Sequence, residues 1–443
     1  QSDDDEINRV VSTSFFLFAG VAVVVLALTV LVAALAFVVV REPAEYRVVR
    51  VLLLVLGVRV ALSFPARVFA GLLNAHLRHD LTAAATIAQL LVGNAAIYLH
   101  LRGDGGVIGM SLLVLAAAAM EYLLNLVSAL RVFPRLRLSR ALAQRQVLTA
   151  IFHYSWRTLG AQAAGILRSK VSGFIVAAFL GVNLVTYFSI ATRLIGYFTE
   201  LVFSLVGNLA PVFSRYEGEG KPELIRSRFV LFTKLSVILT VFVGASIIFY
   251  GAAFIERWMG AGFEQSYWVV AILAVPTTLS LMQTPASCLL YGISKHQYVA
   301  LLGGVESVLN LGAGLALAPV LGIYGVAVGT SMGPIVTSVI LYPIVVSRQV
   351  GLSLSQYYLR VLLLPSLESL AVLSVFFVAC HGLLRSRFGT IAVLGSIQAL
   401  VYFPIAGLIV LSAAERGILI SSLLRKLRRA APSGAGRQPC HRG

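Results

Sequence analysis

The chain has 443 residues, of which 59% are hydrophobic and only 12% charged, and its mean hydropathy is +0.91. A water-soluble core cannot use so much apolar surface, which excludes a soluble enzyme and leaves a polytopic membrane protein. The net charge of +17 falls mainly between apolar segments and in the tail, the pattern of membrane topology rather than of nucleic-acid contact.

In chain order, Gln1 and the acidic run Asp3-Asp4-Asp5-Glu6 precede Asn8-Arg9 and the first apolar stretch. A cleaved signal peptide or a fragment would leave such a start. Apolar runs long enough to cross the hydrocarbon core, about 20 residues at helical rise, fall near 13–40, 46–74, 81–101, 107–132, 149–181, 183–212, 226–252, 266–293, 298–319, 323–346, 359–383 and 389–413. Twelve transmembrane helices are therefore expected, an all-α bundle. Pro65, Pro211, Pro276, Pro285 and Pro365 lie inside these runs and predict kinks, which membrane bundles tolerate because neighbouring helices re-satisfy freed backbone groups.

Basic residues concentrate in alternate loops. Arg78, the group from Arg131 to Arg145, the group from Arg215 to Arg228, Lys295, Arg348, Arg360 and the tail from Arg425 to Arg429 outnumber the opposite set of Arg41, Arg47, Arg50, Arg102, Arg257, Arg385 and Arg387. The richer side is cytoplasmic by the positive-inside rule, which puts both chain ends inside. The tail 418–429 is apolar on one side and basic on the other, a pattern that fits an anionic leaflet or an ordinary positive-inside tether. Cys288, Cys380 and Cys440 have no metal-ligand spacing and read as inert thiols.

One stretch occurs twice. Residues 283–330 are echoed by 64–110 at an offset near 217: Pro65 and Gly71 answer Pro285 and Gly292, Arg78-His79-Asp80 answers Lys295-His296-Gln297, and Gln89 and Asn94 answer Glu306 and Asn310. The turn Gly106-Val107-Ile108-Gly109 answers Gly322-Ile323-Tyr324-Gly325. Related halves in a membrane chain point to a transporter.

Polar residues at membrane depth are the strongest functional pointers. On the sixth helix Thr186, Ser189, Arg193, Tyr197, Glu200, Ser204 and Asn208 follow one another at steps of three and four, on one face. The fifth helix carries Arg157, Arg168 and Ser172 at the same kind of step, with Lys170 beside them. Together they suggest a cationic, water-filled space for an anionic ligand, although Arg157 and Lys170 also fit snorkelling to the headgroups. Glu306 and Asn310, one turn apart, fit an ion-coupling site or interhelical hydrogen bonding. Glu121 and Glu368 are isolated acids, and Lys234 reads as snorkelling. There is no phosphate-binding loop, HExxH, GxSxG or Cys/His ligand set, so no catalytic residue, metal or cofactor is expected.

The run Asp5-Glu6-Ile7-Asn8-Arg9 with Ser12-Thr13, the segments Phe179-Leu180-Gly181 and Val185 to Arg193, Pro211-Val212-Phe213-Ser214-Arg215, and Glu306 with Asn310 ahead of Pro319 to Thr330 resemble the polysaccharide-biosynthesis (O-antigen) flippases of the multidrug/oligosaccharidyl-lipid/polysaccharide (MOP) exporter superfamily. The resemblance covers nearly the whole chain. It implies two six-helix lobes, often with two further helices, and no enzymatic activity. In that family the Asp-Glu-Ile-Asn-Arg-like segment follows the second helix, so the chain would begin at the third of fourteen. The implied organisation is a lobe at 1–132, a cytoplasmic loop at 133–148, a six-helix lobe at 149–346, two additional helices at 347–416 and a basic tail at 417–443. Relatives often carry an acid where this chain has Ser172, which puts a coupling role there in doubt.

The implied activity is transfer of an isoprenoid pyrophosphate-linked oligosaccharide from the inner to the outer leaflet by alternating access. Arg193, Arg168, Lys170 and Arg157 would hold the diphosphate, with Tyr197, Glu200 and Asn208 beside the sugars. The implied partners are the lipid-linked oligosaccharide, membrane lipids, and polysaccharide polymerase and chain-length proteins, without nucleic acid. A lipid II flippase shares the diphosphate chemistry. A cation-coupled multidrug exporter would want acids rather than Arg and Lys in its cavity, and a membrane glycosyltransferase or polymerase would want a large outer loop or a catalytic carboxylate at the membrane edge.

Overall fold

The computed structural model describes residues 2–38, 43–142, 144–149, 152, 171–384 and 387–430. Among them every regular element is helical. The chain divides into two compact units, Gln1–Gln162 and Ala163–Gly443.

The first unit contains α1 (Ser2–Leu35), α2 (Pro43–Ala75), α3 (His79–Arg102) and α4 (Val107–Val132), each long and apolar enough to span a bilayer. Val11 of α1, Val68, Phe69, Leu72 and Leu73 of α2, Ala129 of α4 and the following Phe133 form its core. The motif at the start of α1 has a structural task. Asn8 donates to the Arg135 carbonyl at 3.2 Å and accepts from the Arg137 N–H at 2.8 Å, and the Ser12 hydroxyl donates to the Arg137 carbonyl at 3.0 Å. Thr13 accepts from the Gln144 N–H, and Arg135 pairs with Asp4 at 2.9 Å. Asn8, Ser12 and Thr13 are all buried, so these bonds fix the backbone of the segment after α4 where water cannot compete.

The second unit runs through α5 (Val171–Leu180), α6 (Val182–Val206), α7 (Ala210–Gly218), α8 (Pro222–Met259), α9 (Glu264–Met282), α10 (Thr284–Gly292), α11 (His296–Val336) and α12 (Tyr342–Val350). It continues through the short turn α13 (Leu354–Gln356), α14 (Leu364–Cys380), α15 (Phe388–Val410) and α16 (Ala413–Ala430). π-helical segments at Thr337–Leu341 and Tyr357–Leu363 lead into α12 and α14. Pro211, Pro285 and Pro365 stand in the first turns of α7, α10 and α14, where a missing N–H costs least; Pro65 and Pro276 lie inside α2 and α9.

Ten candidate spans are present among the described residues. The stretch His296–Val350 is two spans folded at Gly322, whose φ of 58° and ψ of −137° suit glycine alone. The run expected at 149–181 lies largely outside the described residues, Val171–Leu180 being its described end. The helix count thus agrees with the hydropathy reading.

The two halves of α11 meet along a glycine seam. A Cβ on Gly325 would strike the Leu317 backbone, one on Gly329 the backbone of Ala313 and Gly314, and one on Gly333 the Glu306 and Asn310 side chains. This Gly-x-x-x-Gly-x-x-x-Gly spacing lets backbones approach where lipid supplies no hydrophobic force between helices. At the matching place in the first unit, a Cβ on Gly93 of α3 would lie 2.9 Å from the Ala117 Cβ of α4, so both copies of the repeat cross at a small residue.

A buried polar knot joins α9, the first π-segment and the second. Gln283 donates to the Ser338 carbonyl at 2.8 Å and accepts from the Tyr357 hydroxyl at 2.6 Å. Gln283 is 2% exposed and Tyr357 wholly buried.

The tail helix α16 starts with a reciprocal cap. The Ser412 N–H donates to Glu415 Oε2 at 2.7 Å and the Glu415 N–H to the Ser412 hydroxyl at 3.3 Å. Lys234 of α8, expected to snorkel, instead pairs with Glu415 at 3.0 Å, and Ile418 and Leu419 pack against the core around Val237, Val241 and Tyr402. Burial pushes the Glu415 carboxyl up, but the Ser412 N–H, the Lys234 ammonium and the Ser412 hydroxyl outweigh it, so Glu415 titrates below the ordinary glutamate value of 4.5. A depressed carboxylate contributes stability above the ordinary value and loses it as the pH falls through its own, lower value. Docking of α16, followed by the distance between spin labels on α8 and α16, should therefore hold at pH 6 and loosen below pH 4.5. Glu415→Gln should already be loose at pH 6 and show no such transition; the same transition in that variant would assign it to another group.

Candidate substrate site

Helix α6 has two unlike faces. Phe188, Ala191, Phe198, Val202 and Val206 are buried against neighbouring helices of the second unit, mainly α9 and α8. The opposite face carries Thr186, Ser189, Arg193, Tyr197, Glu200, Ser204 and Asn208, every one of them exposed in this unit. Arg193 stands one residue from the midpoint of the 25-residue helix. Its Nε donates to the Tyr197 hydroxyl at 3.0 Å, and its guanidinium lies 5.0 Å from the centre of the Tyr197 ring. The i,i+4 spacing makes both contacts possible and holds the cation extended along the helix. Among the described residues neither Arg193 nor Glu200 is in an ion pair.

Tyr197 also borders an apolar cavity of about 390 Å³ lined by Leu194, Phe198, Leu201, Phe242, Val243 and Phe254. A charged face and an apolar groove thus share one side chain. Tyr187 is turned elsewhere, its ring 5.3 Å from Phe263.

The structure brings Arg193, Tyr197, Glu200 and Asn208 onto one surface. Arg157, Arg168 and Lys170 lie outside the described residues. Glu306 and Asn310 are half-buried at the seam of α11: Asn310 Oδ1 accepts the Gly333 N–H at 3.2 Å, and the Thr337 hydroxyl lies 3.5 Å from Glu306 Oε2. Nearby, the Ser172 and Thr330 hydroxyls are 2.8 Å apart. Asn310 therefore works as an interhelical hydrogen-bond acceptor.

The sequence reading passed over a second group, in the first unit. Arg59, Ser63 and Arg67 stand at successive i,i+4 steps on α2, and Tyr122 of α4 lies close to all three. Beside Tyr122, Glu121 accepts a hydrogen bond from the Thr86 hydroxyl at 2.9 Å, and Asn125 is 6% exposed. The signal was present: two arginines eight residues apart within an apolar run. The same test of ionisable groups at membrane depth that singled out Arg193 selects them.

Comparison with known proteins supplies the family and the fold. Residues 1–217 match the family model described as polysaccharide biosynthesis protein. No curated protein matches the chain. Among solved structures it is similar to an inward-facing multidrug resistance MATE family transporter of the MOP superfamily, at 15% identity over 81% of this chain and 84% of that one, with a TM-score of 0.67. It is also similar to the lipid II flippase MurJ in an inward closed conformation, at 14% identity over 96% of this chain and 86% of that one, with a TM-score of 0.69. A MOP superfamily transporter from Pyrococcus furiosus, whose structure is described as having a binding pocket of reverse polarity, covers 78% of this chain and 79% of its own at 14% identity and a TM-score of 0.56. This multi-pass membrane protein therefore has the fold of the MOP superfamily transporters, and through residues 1–217 it belongs to the polysaccharide biosynthesis protein family.

Proposed function

We propose that the protein is a flippase that moves an isoprenoid pyrophosphate-linked oligosaccharide from the cytoplasmic to the outer leaflet of a bacterial inner membrane by alternating access, with both chain ends cytoplasmic. The observation that carries this reading is the exposed polar face of α6, with Arg193 at its middle. A guanidinium at that depth is too costly to face lipid, so it calls for water and an anion. Arg offers a planar, bidentate fit to phosphate, and Tyr197 holds it ready without neutralising it. Arg168, Lys170 and Arg157 add to the cationic character, while Glu200 and Asn208 supply acceptors and donors for sugar hydroxyls. The isoprenoid chain fits the apolar groove beside Tyr197. Glu306 and Asn310 serve the packing of α11, on which any ion coupling would act. Polysaccharide polymerase and chain-length proteins are the partners this product requires.

A lipid II flippase is the second reading, favoured by the fold shared with MurJ. A cation-coupled drug exporter is disfavoured by the central Arg193.

The test is complementation of cells deleted for the gene. Wild type should clear lipid-linked oligosaccharide from the cytoplasmic leaflet, and Arg193→Ala, at equal protein level, should slow clearance about tenfold to a hundredfold, the loss of one charge-assisted contact. Clearance at the wild-type rate in Arg193→Ala would discard the site. Altered resistance to cationic drugs, without accumulation of the oligosaccharide, would discard the flippase.

A further inference from the structure

Arg59 is the central residue of α2, sixteen positions from Pro43 and sixteen from Ala75. It is the deepest basic residue of that span. Its Nε is buried and has no hydrogen-bond partner, and Arg67, two turns further on, is exposed. Among the described residues neither arginine forms an ion pair, because the carboxylate nearest the group, Glu121, is engaged by Thr86 at 2.9 Å. A second unsatisfied atom points the same way: Asn125 is 6% exposed, and its Oδ1 is buried without a donor.

Unpartnered polar atoms at membrane depth persist where something absent completes them. Two cations and one engaged acid leave a surplus of positive charge, so that something is an anion. Arg67 lines a cavity of about 580 Å³ between α1 and α2, in which Glu6 is the one acid, set against Arg67 and His76. The ladder Arg59, Ser63, Arg67 thus runs from that cavity to the middle of the span, its two guanidinium-bearing Cα atoms about 12 Å apart along the helix axis. That spacing suits successive rather than simultaneous contact with one phosphate group.

We propose that Arg67 and Arg59 are two stations for a phosphorylated lipid headgroup, Arg67 at the cavity and Arg59 at mid-membrane, with Ser63 and Tyr122 as hydroxyl donors between them. The choice of a phosphorylated lipid rests on the proposed flippase activity; the need for an anion rests on the unpartnered atoms alone. Arg59 offers two parallel N–H groups to a phosphate, a geometry Lys cannot copy.

The experiment measures binding of farnesyl diphosphate, farnesol and inorganic pyrophosphate to the full chain in phosphatidylcholine nanodiscs by calorimetry. Wild type should bind farnesyl diphosphate and neither of the others comparably. Arg59→Ala should weaken that binding at least tenfold, Arg67→Ala three- to tenfold, and Arg59→Lys to an intermediate degree. Arg59→Gln, similar in shape and uncharged, replaces Arg59→Ala if the latter fails to fold, and thermal melting confirms that each variant is intact. Affinities within twofold of wild type in intact Arg59 and Arg67 variants would overturn the stations. If Arg193→Ala alone then lost binding, the flippase reading would stand without them. Inorganic pyrophosphate bound as tightly as farnesyl diphosphate would overturn the lipid assignment, and no binding of farnesyl diphosphate to wild type would overturn both proposals.

Discussion

Gly329→Val should leave little folded protein. The Cβ that any residue but glycine brings would sit against the backbone of Ala313 and Gly314, 2.6 Å from the Ala313 carbonyl carbon, and no side-chain rotation relieves a backbone contact. Overpacking of a core costs about 1–3 kcal/mol where side chains can yield. Here the halves of α11 must part instead, breaking the neighbouring contacts at Gly325 and Gly333 and the bond from the Gly333 N–H to Asn310. We expect a cost at or above the upper end of that range, about 3 kcal/mol or more, read as loss of the monodisperse peak in detergent and a lowered melting temperature. Gly312→Ala is the control, since nothing lies within 4 Å of its Cβ position. A Gly329→Val protein as stable as Gly312→Ala would mean that the seam is not a tight contact.

The second large effect is expected at Gln283. Gln283→Leu keeps the volume but strips two bonds at once, leaving the Tyr357 hydroxyl and the Ser338 carbonyl buried without partners. Each orphan costs about 1–3 kcal/mol, so the variant should lose about 3 kcal/mol in total. Tyr357→Phe removes only the donor and should cost about 1 kcal/mol. In the double variant the hydroxyl is no longer there to be stranded, so the losses should fall short of their sum. Thermal or denaturant unfolding of the three variants gives the coupling directly, and strict additivity would show that the two side chains do not act together.

Much of this architecture is legible in hydropathy, because a lipid-facing helix has to be apolar for a fixed length and the loops between helices have to be basic on one side. The α6 stripe is legible for a similar reason: a three-to-four spacing of polar residues is a local pattern, and the structure puts those residues on one exposed face. Contacts between distant positions are not written in any local pattern. Lys234 looks like a snorkelling residue until Glu415, 181 residues later, is folded back onto it. Glu121 looks isolated until α3 brings Thr86 alongside. Asn8, Ser12 and Thr13 carried a family likeness in sequence, yet their work, holding the 135–144 backbone, depends on a loop more than 120 residues away. Arg59 and Arg67 were within reach of the method and were missed because attention went to the helix with the longest stripe.

The π-segment Thr337–Leu341 holds one more residue per turn than the α-helix on either side of it. It acts as a phase shifter. Removing one residue there would restore a plain α-helix and rotate everything beyond it by about 100°. Val346 and Val350, now packed with Phe213, Phe229 and Tyr357, would swing off that cluster, while the hydropathy profile stayed the same. The number of residues in this segment, more than their identity, is what the second unit constrains.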